Sequence, residues 1–164
     1  MTAADWITGF AREADADFCT WELLQGDAAV PQCHKLLFLQ MACEKLCKAH
    51  LIATGTPAEK VQSSHGYIAK PLPVVIKQEL SSWKKSVGRR VMQSARHLAQ
   101  EIEVLNPALD RNGQRPDNCE YPWQDHGGTV RSPLDWSFAA SQLLTTQGGP
   151  SFLKLVRLAI NRLL

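Results

Sequence analysis

With 164 residues, 45% of them hydrophobic, the chain has enough apolar material for one buried core and too much for disorder throughout. No apolar run approaches the roughly 18 residues of a membrane-spanning helix. The start, MTAADWITGFAREADADF, lacks the charged-then-apolar order of a secretion signal, so a cytoplasmic protein with no membrane association is expected.

Net charge is only +2, but it is unevenly spread. Asp5, Glu13, Asp15, Asp17, Glu22 and Asp27 crowd the N-terminal stretch beside a single base, Arg12. Lys84, Lys85, Arg89, Arg90 and Arg96 fall between Glu79 and Glu101 with no acid among them. Such asymmetry suits an anionic partner and a self-complementary association surface; a solvated helix face is the plainer reading. The 5 cysteines have no CxxC spacing and an odd count, so reduced, partly buried thiols are expected in place of a disulfide framework.

Residues 4–25 form the first predicted helix, with Trp6, Phe10, Ala14, Phe18, Trp21 and Leu24 recurring at spacings of three and four. QGDAAVP interrupts it. Residues 32–54 form the second and strongest helix, apolar over so wide an arc that it belongs at the centre of the fold. Gly55 and Pro57 stop it. SSHGYIAKPLP is a connector with a helix start expected at Ser63 or Ser64. Residues 73–106 are helical again, in two pieces meeting near Gly88, and Pro107 ends them. The segment from about 110 to 136 is a long insertion rich in proline, glycine and aromatics; EYPWQDHGGTVRSP is able to close as a short hairpin over Gly127–Gly128. Helices at about 135–146 and 150–164 finish the chain. The expected architecture is a single all-α domain over 1–164, an up-and-down bundle of four to five helices carrying that loop.

Three constellations invite chemistry. Arg90 and His97 are seven residues apart, so on a helix they share a face. The pair has the chemistry to cleave phosphodiesters, or it is a basic patch beside a packed histidine. Lys84, Lys85, Arg89, Arg90 and Arg96 are able to track a phosphate backbone, with Trp83 available for stacking or for the core. Tyr121 and Trp123 flank a proline and offer either a stacking lid or a plug for the bundle. Cys43, Cys47 and His50 fall on one helical face with zinc-compatible spacing. That face is the most apolar in the chain, so core packing is the better reading and neither a metal nor another cofactor is expected.

The segment HKLLFLQMACEKLCKAHLIATG resembles the second helix of HEPN domains (the higher-eukaryote and prokaryote nucleotide-binding family), through His34, Gln40, Ala42, Glu44–Lys45 and Lys48–Ala49. SSH at 63–65, Leu105–Asn106 and Glu120–Tyr121–Pro122 are similar to further elements of that family, in the same order; Glu120 stands where the family has arginine. The resemblance implies a dimeric helical bundle that binds RNA or a nucleotide. It also implies a cognate partner such as a nucleotidyltransferase, in a toxin–antitoxin or defence setting. A subset of the family are metal-independent endoribonucleases with an Arg-x4–6-His motif, to which Arg90 and His97 correspond, although Val91 follows the arginine where active members have a polar residue. The third reading is an interaction scaffold without nucleic acid.

Overall fold

A computed structural model describes residues 2–82, 85–109, 117–146 and 148–164; of residues 82 and 85–87 the backbone alone is described. Trp83, Lys84, Gly113 and Pro116 lie outside the described residues, as does the side chain of Lys85.

Helix α1 (Ala3–Gln25) begins at a reciprocal cap. The Thr2 hydroxyl accepts from the Asp5 amide at 3.2 Å, and the Asp5 carboxylate accepts from the Thr2 amide at 2.6 Å. Helix α2 (Gln32–Ala53) returns antiparallel along it, with Lys45 reaching back to Asp17 at 2.6 Å and Glu13 at 3.3 Å. Helices α3 (Ala58–Gln62), α4 (Pro71–Glu79), α5 (Lys85–Glu103), α6 (Ala139–Thr145) and α7 (Gly149–Leu163) follow. Among the described residues the all-α bundle is therefore built from four long helices, α1, α2, α5 and α7, with three short ones between them.

The central position expected of α2 is realised: it packs against every other α-helix among the described residues. Leu36, Leu39, Cys43, Leu46 and Cys47 are fully buried in the main core, together with Phe18, Leu72, Ile76, Leu98, Ile102, Phe152 and Ile160. A second cluster, Ile52, Ala58 and Val61, closes the end where Trp6, Ile7 and Phe10 of α1 meet the end of α2.

Several boundaries differ from expectation for local physical reasons. Ser63 terminates α3 and does not start a helix. The break predicted near Gly88 falls earlier, after a 3-10 turn at Leu80–Ser82; Gly88 sits inside α5 in open surroundings, where a helical glycine costs only about 1 kcal/mol. The helix expected from 135 starts at Ala139, because a 3-10 turn, Pro133–Asp135, comes first.

The expected hairpin is present as β1 (Trp123–Gln124) paired antiparallel with β2 (Val130–Arg131). Gly128 takes the left-handed conformation at φ 81, which favours glycine. The Asp125 carboxylate accepts from the amides of Gly127 and Thr129, each at 2.9 Å, and pairs with Arg131 at 2.7 Å.

All six acids of the N-terminal stretch are engaged within the chain. Asp5 caps α1, Glu13 and Asp17 pair with Lys45, Asp15 and Glu22 pair with Arg157 of α7, and Asp27 accepts from the Ala29 amide. The acidity concentrated there in sequence is thus turned towards α2 and α7.

Helix α7 starts in tight quarters. A Cβ at Gly149 would strike the Leu144 carbonyl, and one at Gly148 would strike the Ser94 side chain on α5. Neither contact is relieved by a side-chain rotation, because the Leu144 carbonyl is backbone and the Ser94 Cβ stays where it is when its hydroxyl turns. Gly149→Ala and Gly148→Ala are each expected to lower unfolding stability by about 1–3 kcal/mol in denaturant titrations.

His50, buried at the end of α2, is held below its ordinary pKa by burial and secondarily by the nearby Arg162 charge. A base with a lowered folded pKa charges more easily when unfolded. Its contribution is therefore intact above the unfolded value near 6.5 and is lost as pH falls below it. Thermal melts between about pH 7 and pH 5 should show this acid-side loss, and it should shrink in His50→Gln.

Candidate functional site

Helix α5 divides sharply between two faces. Val91, Ala95, Leu98, Ala99 and Ile102 point into the core, with Glu103 buried beside them. The opposite side carries a seven-residue recurrence: Arg89 with Arg96, Arg90 with His97, and Gln93 with Gln100, all six exposed. None of Arg89, Arg90 and Arg96 makes an ion pair with a described residue. The outward face therefore presents unneutralised guanidinium groups interleaved with amides.

Arg90 lines a groove of about 380 Å³ between α5 and the α6–α7 junction, with Val91, Gln93, Ser94, Thr146, Gly148 and Ser151. The wall opposite α5 is the start of α7, where the positive end of the helix dipole favours an anion, although Gly149 and Phe152 already spend their amides on the Thr146 and Gly148 carbonyls and Pro150 has none. His97 borders a neighbouring recess with Gln100, Glu101, Ala139, Gln142, Leu143 and Thr146. The two depressions meet at Thr146, so Arg90 and His97 lie along one continuous edge. Their separation along the helix is about 10.5 Å of rise. Only a long side chain reaching along the axis brings both to one phosphate.

The loop aromatics are placed differently. Trp123 is buried and packs edge-on against Trp136, ring centroids 5.3 Å apart. Tyr121 is exposed. Neither lines the two recesses beside α5. Cys43 and Cys47 are fully enclosed in the core, where burial pushes the Cys43 thiol up to about 12 and raises Cys47 also. Both pack among apolar side chains of the main core. Among the described residues, no group of three or more His, Cys, Asp or Glu side chains is arranged to hold a metal ion. No helix is long and apolar enough to cross a membrane among the described residues.

The residues quoted for the family resemblance gather elsewhere, around the buried carboxylate of Glu44. It accepts from Gln40 at 2.9 Å and from Asn106 at 3.4 Å, pairs with Lys48 at 2.8 Å, and lies 3.2 Å from His65 Nδ1. His34 is exposed and does not join them. Glu103 completes the arrangement by accepting the Ile68 and Ala69 amides, each at 2.9 Å. These contacts pin the 63–70 connector between α2 and α5 and thereby fix the height at which α5 runs. The sequence names Glu44 and Lys48 only through the family resemblance; the burial that raises their importance comes from helices far away in sequence. Sequence reasoning also missed Gln93, for which the recurrence Arg-Arg-x-x-Gln-x-x-Arg-His-x-x-Gln was the available signal, and Ser94, Thr146 and Ser151, which no local signal marks.

Removing Glu44 while keeping Lys48 strands a buried ammonium. Glu44→Ala is expected to cost about 3–5 kcal/mol in denaturant unfolding, and adding Lys48→Met to it should recover a large part of that loss.

Comparison of the chain with protein-family profiles, with characterised proteins and with solved structures found no match.

Proposed function

We propose that the chain is a HEPN-like RNA- or nucleotide-binding protein that holds phosphate groups on the outward face of α5. The carrying observation is the set of exposed Arg89, Arg90, Arg96 and His97 without carboxylate partners among the described residues, beside a polar groove closed by a helix N-terminus. Guanidinium groups bind phosphate through paired N–H donors, and Gln93, Ser94 and Thr146 add neutral donors and acceptors for sugar or base. The gathering of Gln40, Glu44, Lys48, His65 and Asn106 at one place supports the family reading, since these are among the residues on which the resemblance rests. On that reading the protein works in the cytoplasm as a homodimer with a cognate partner, such as a nucleotidyltransferase, in a toxin–antitoxin or defence pair.

A second reading is favoured by the shared edge of Arg90 and His97: a metal-independent endoribonuclease. His97 would take the proton from the ribose 2′-hydroxyl, the freed oxygen would attack the adjacent phosphorus and expel the 5′-oxygen of the next nucleotide, which takes up a proton from solvent and leaves a 2′,3′-cyclic phosphate, and Arg90 would stabilise the charge growing on the phosphate oxygens. The 10.5 Å rise and the apolar Val91, buried where a polar residue would reach the groove, favour binding over cleavage.

Fluorescence anisotropy with a labelled single-stranded RNA tests the binding reading. Affinity should fall linearly on a log–log plot against salt, and Arg90→Ala should weaken binding and reduce the salt slope by about one. Salt-insensitive or absent binding would refute it. Incubation of the same RNA in EDTA separates the two readings: intact RNA is expected, whereas cleavage that drops about 10²–10⁴-fold in His97→Ala establishes the nuclease.

A further inference from the structure

The same helix has a second polar edge that the Arg90 groove does not use. On the side facing α4, Arg96 shares a recess of about 480 Å³ with Lys70, just before α4, and Lys77, near its end. All three bases are exposed, no acid lines the recess, and none of the three makes an ion pair with a described residue. Pro73, half-exposed Val74 and partly buried Met92 form an apolar floor between them. Three like charges around one depression repel one another, and an anion seated among them relieves that repulsion. An apolar floor under a cationic rim suits a ligand that offers a flat apolar surface and a phosphate together.

We propose that Lys70, Lys77 and Arg96 form a second phosphate subsite, which takes a nucleotide of the strand held at Arg90, its phosphate on the three cations and its base over Val74 and Met92. This rests on the RNA-binding reading above. The geometry explains why the arginines of α5 occur as two stripes: Arg90 faces the α6–α7 junction, while Arg89 and Arg96 lie nearer α4 on the helical wheel. Gln93 and Gln100 lie between the stripes. A strand crossing α5 from one recess to the other thus meets cations at both edges and amides in the middle, the arrangement of a backbone-tracking groove.

The test compares full-length wild type with Lys70→Ala/Lys77→Ala/Arg96→Ala, using labelled single-stranded RNA long enough to span both recesses and a shorter dinucleotide. For the long RNA the triple variant should lose at least about tenfold in affinity, with a shallower salt slope. The charge-preserving Lys70→Arg/Lys77→Arg/Arg96→Lys should retain most of the binding, and Lys60→Ala, an exposed lysine on α3, should change nothing. Circular dichroism establishes that each variant is folded. Wild type that binds, Arg90→Ala that weakens, and a triple variant that matches wild type would overturn the second subsite alone. Wild type that binds no RNA would overturn the function and the subsite together. Capture on vesicles of phosphatidylserine and phosphatidylcholine without RNA binding would overturn both in favour of a membrane surface.

Discussion

The fold depends on one constraint: α2 is buried along most of its length, and Lys35, Glu44 and Lys48 lie on its buried part. A helix enclosed in this way has no water to solvate those groups, so the chain must supply partners. Lys35 donates to the Asp27 carbonyl at 2.7 Å, and Glu44 gathers Gln40, Lys48, Asn106 and His65 around its carboxylate. The surrounding elements are placed by these contacts as well as by the apolar core. The loop into α2 is fixed by Lys35, the connector before α4 by His65, and the end of α5 by Asn106. Apolar contact drives association of the helices, while the buried polar groups select the register in which they meet.

That register places α5 with its apolar side inward and its arginines outward. Helices α1 and α5 handle charge in opposite ways. Glu13, Asp15, Asp17 and Glu22 of α1 are paired with Lys45 and Arg157, whereas Arg89, Arg90 and Arg96 of α5 have no carboxylate partner among the described residues. A near-neutral protein thereby keeps a locally basic face. Surface ion pairs such as Lys45 with Glu13 contribute only about 0–1 kcal/mol each.

Much of this was legible in the sequence. The arcs of apolar residues in α1, α2, α5 and α7 fix those helices, and Gly127–Gly128 with its flanking strand residues marks the hairpin. What escaped is non-local. Nothing near Ser94 announces that Gly148 packs against it, and nothing near Glu44 announces Asn106, which is distant in the chain and reaches it only through the fold. The short α3 and the displaced break before α5 fall where local signals are weak: a five-residue helix has too few turns to show periodicity, and a helical glycine in open surroundings, such as Gly88, costs too little to end a helix. The aromatics of the insertion divided between roles that composition alone does not separate, Trp123 packing on Trp136 and Tyr121 reaching solvent.

The central claim is that phosphate groups meet the outward face of α5. Amide and side-chain chemical-shift mapping by NMR, with a short single-stranded RNA titrated into the intact protein, addresses it most directly. The account predicts shifts concentrated at Arg89, Arg90, Gln93, Arg96, His97 and Gln100, with the hairpin and the exposed face of α1 unmoved. Shifts centred on the hairpin around Tyr121, or none at RNA concentrations that saturate ordinary nucleic-acid-binding proteins, would contradict it.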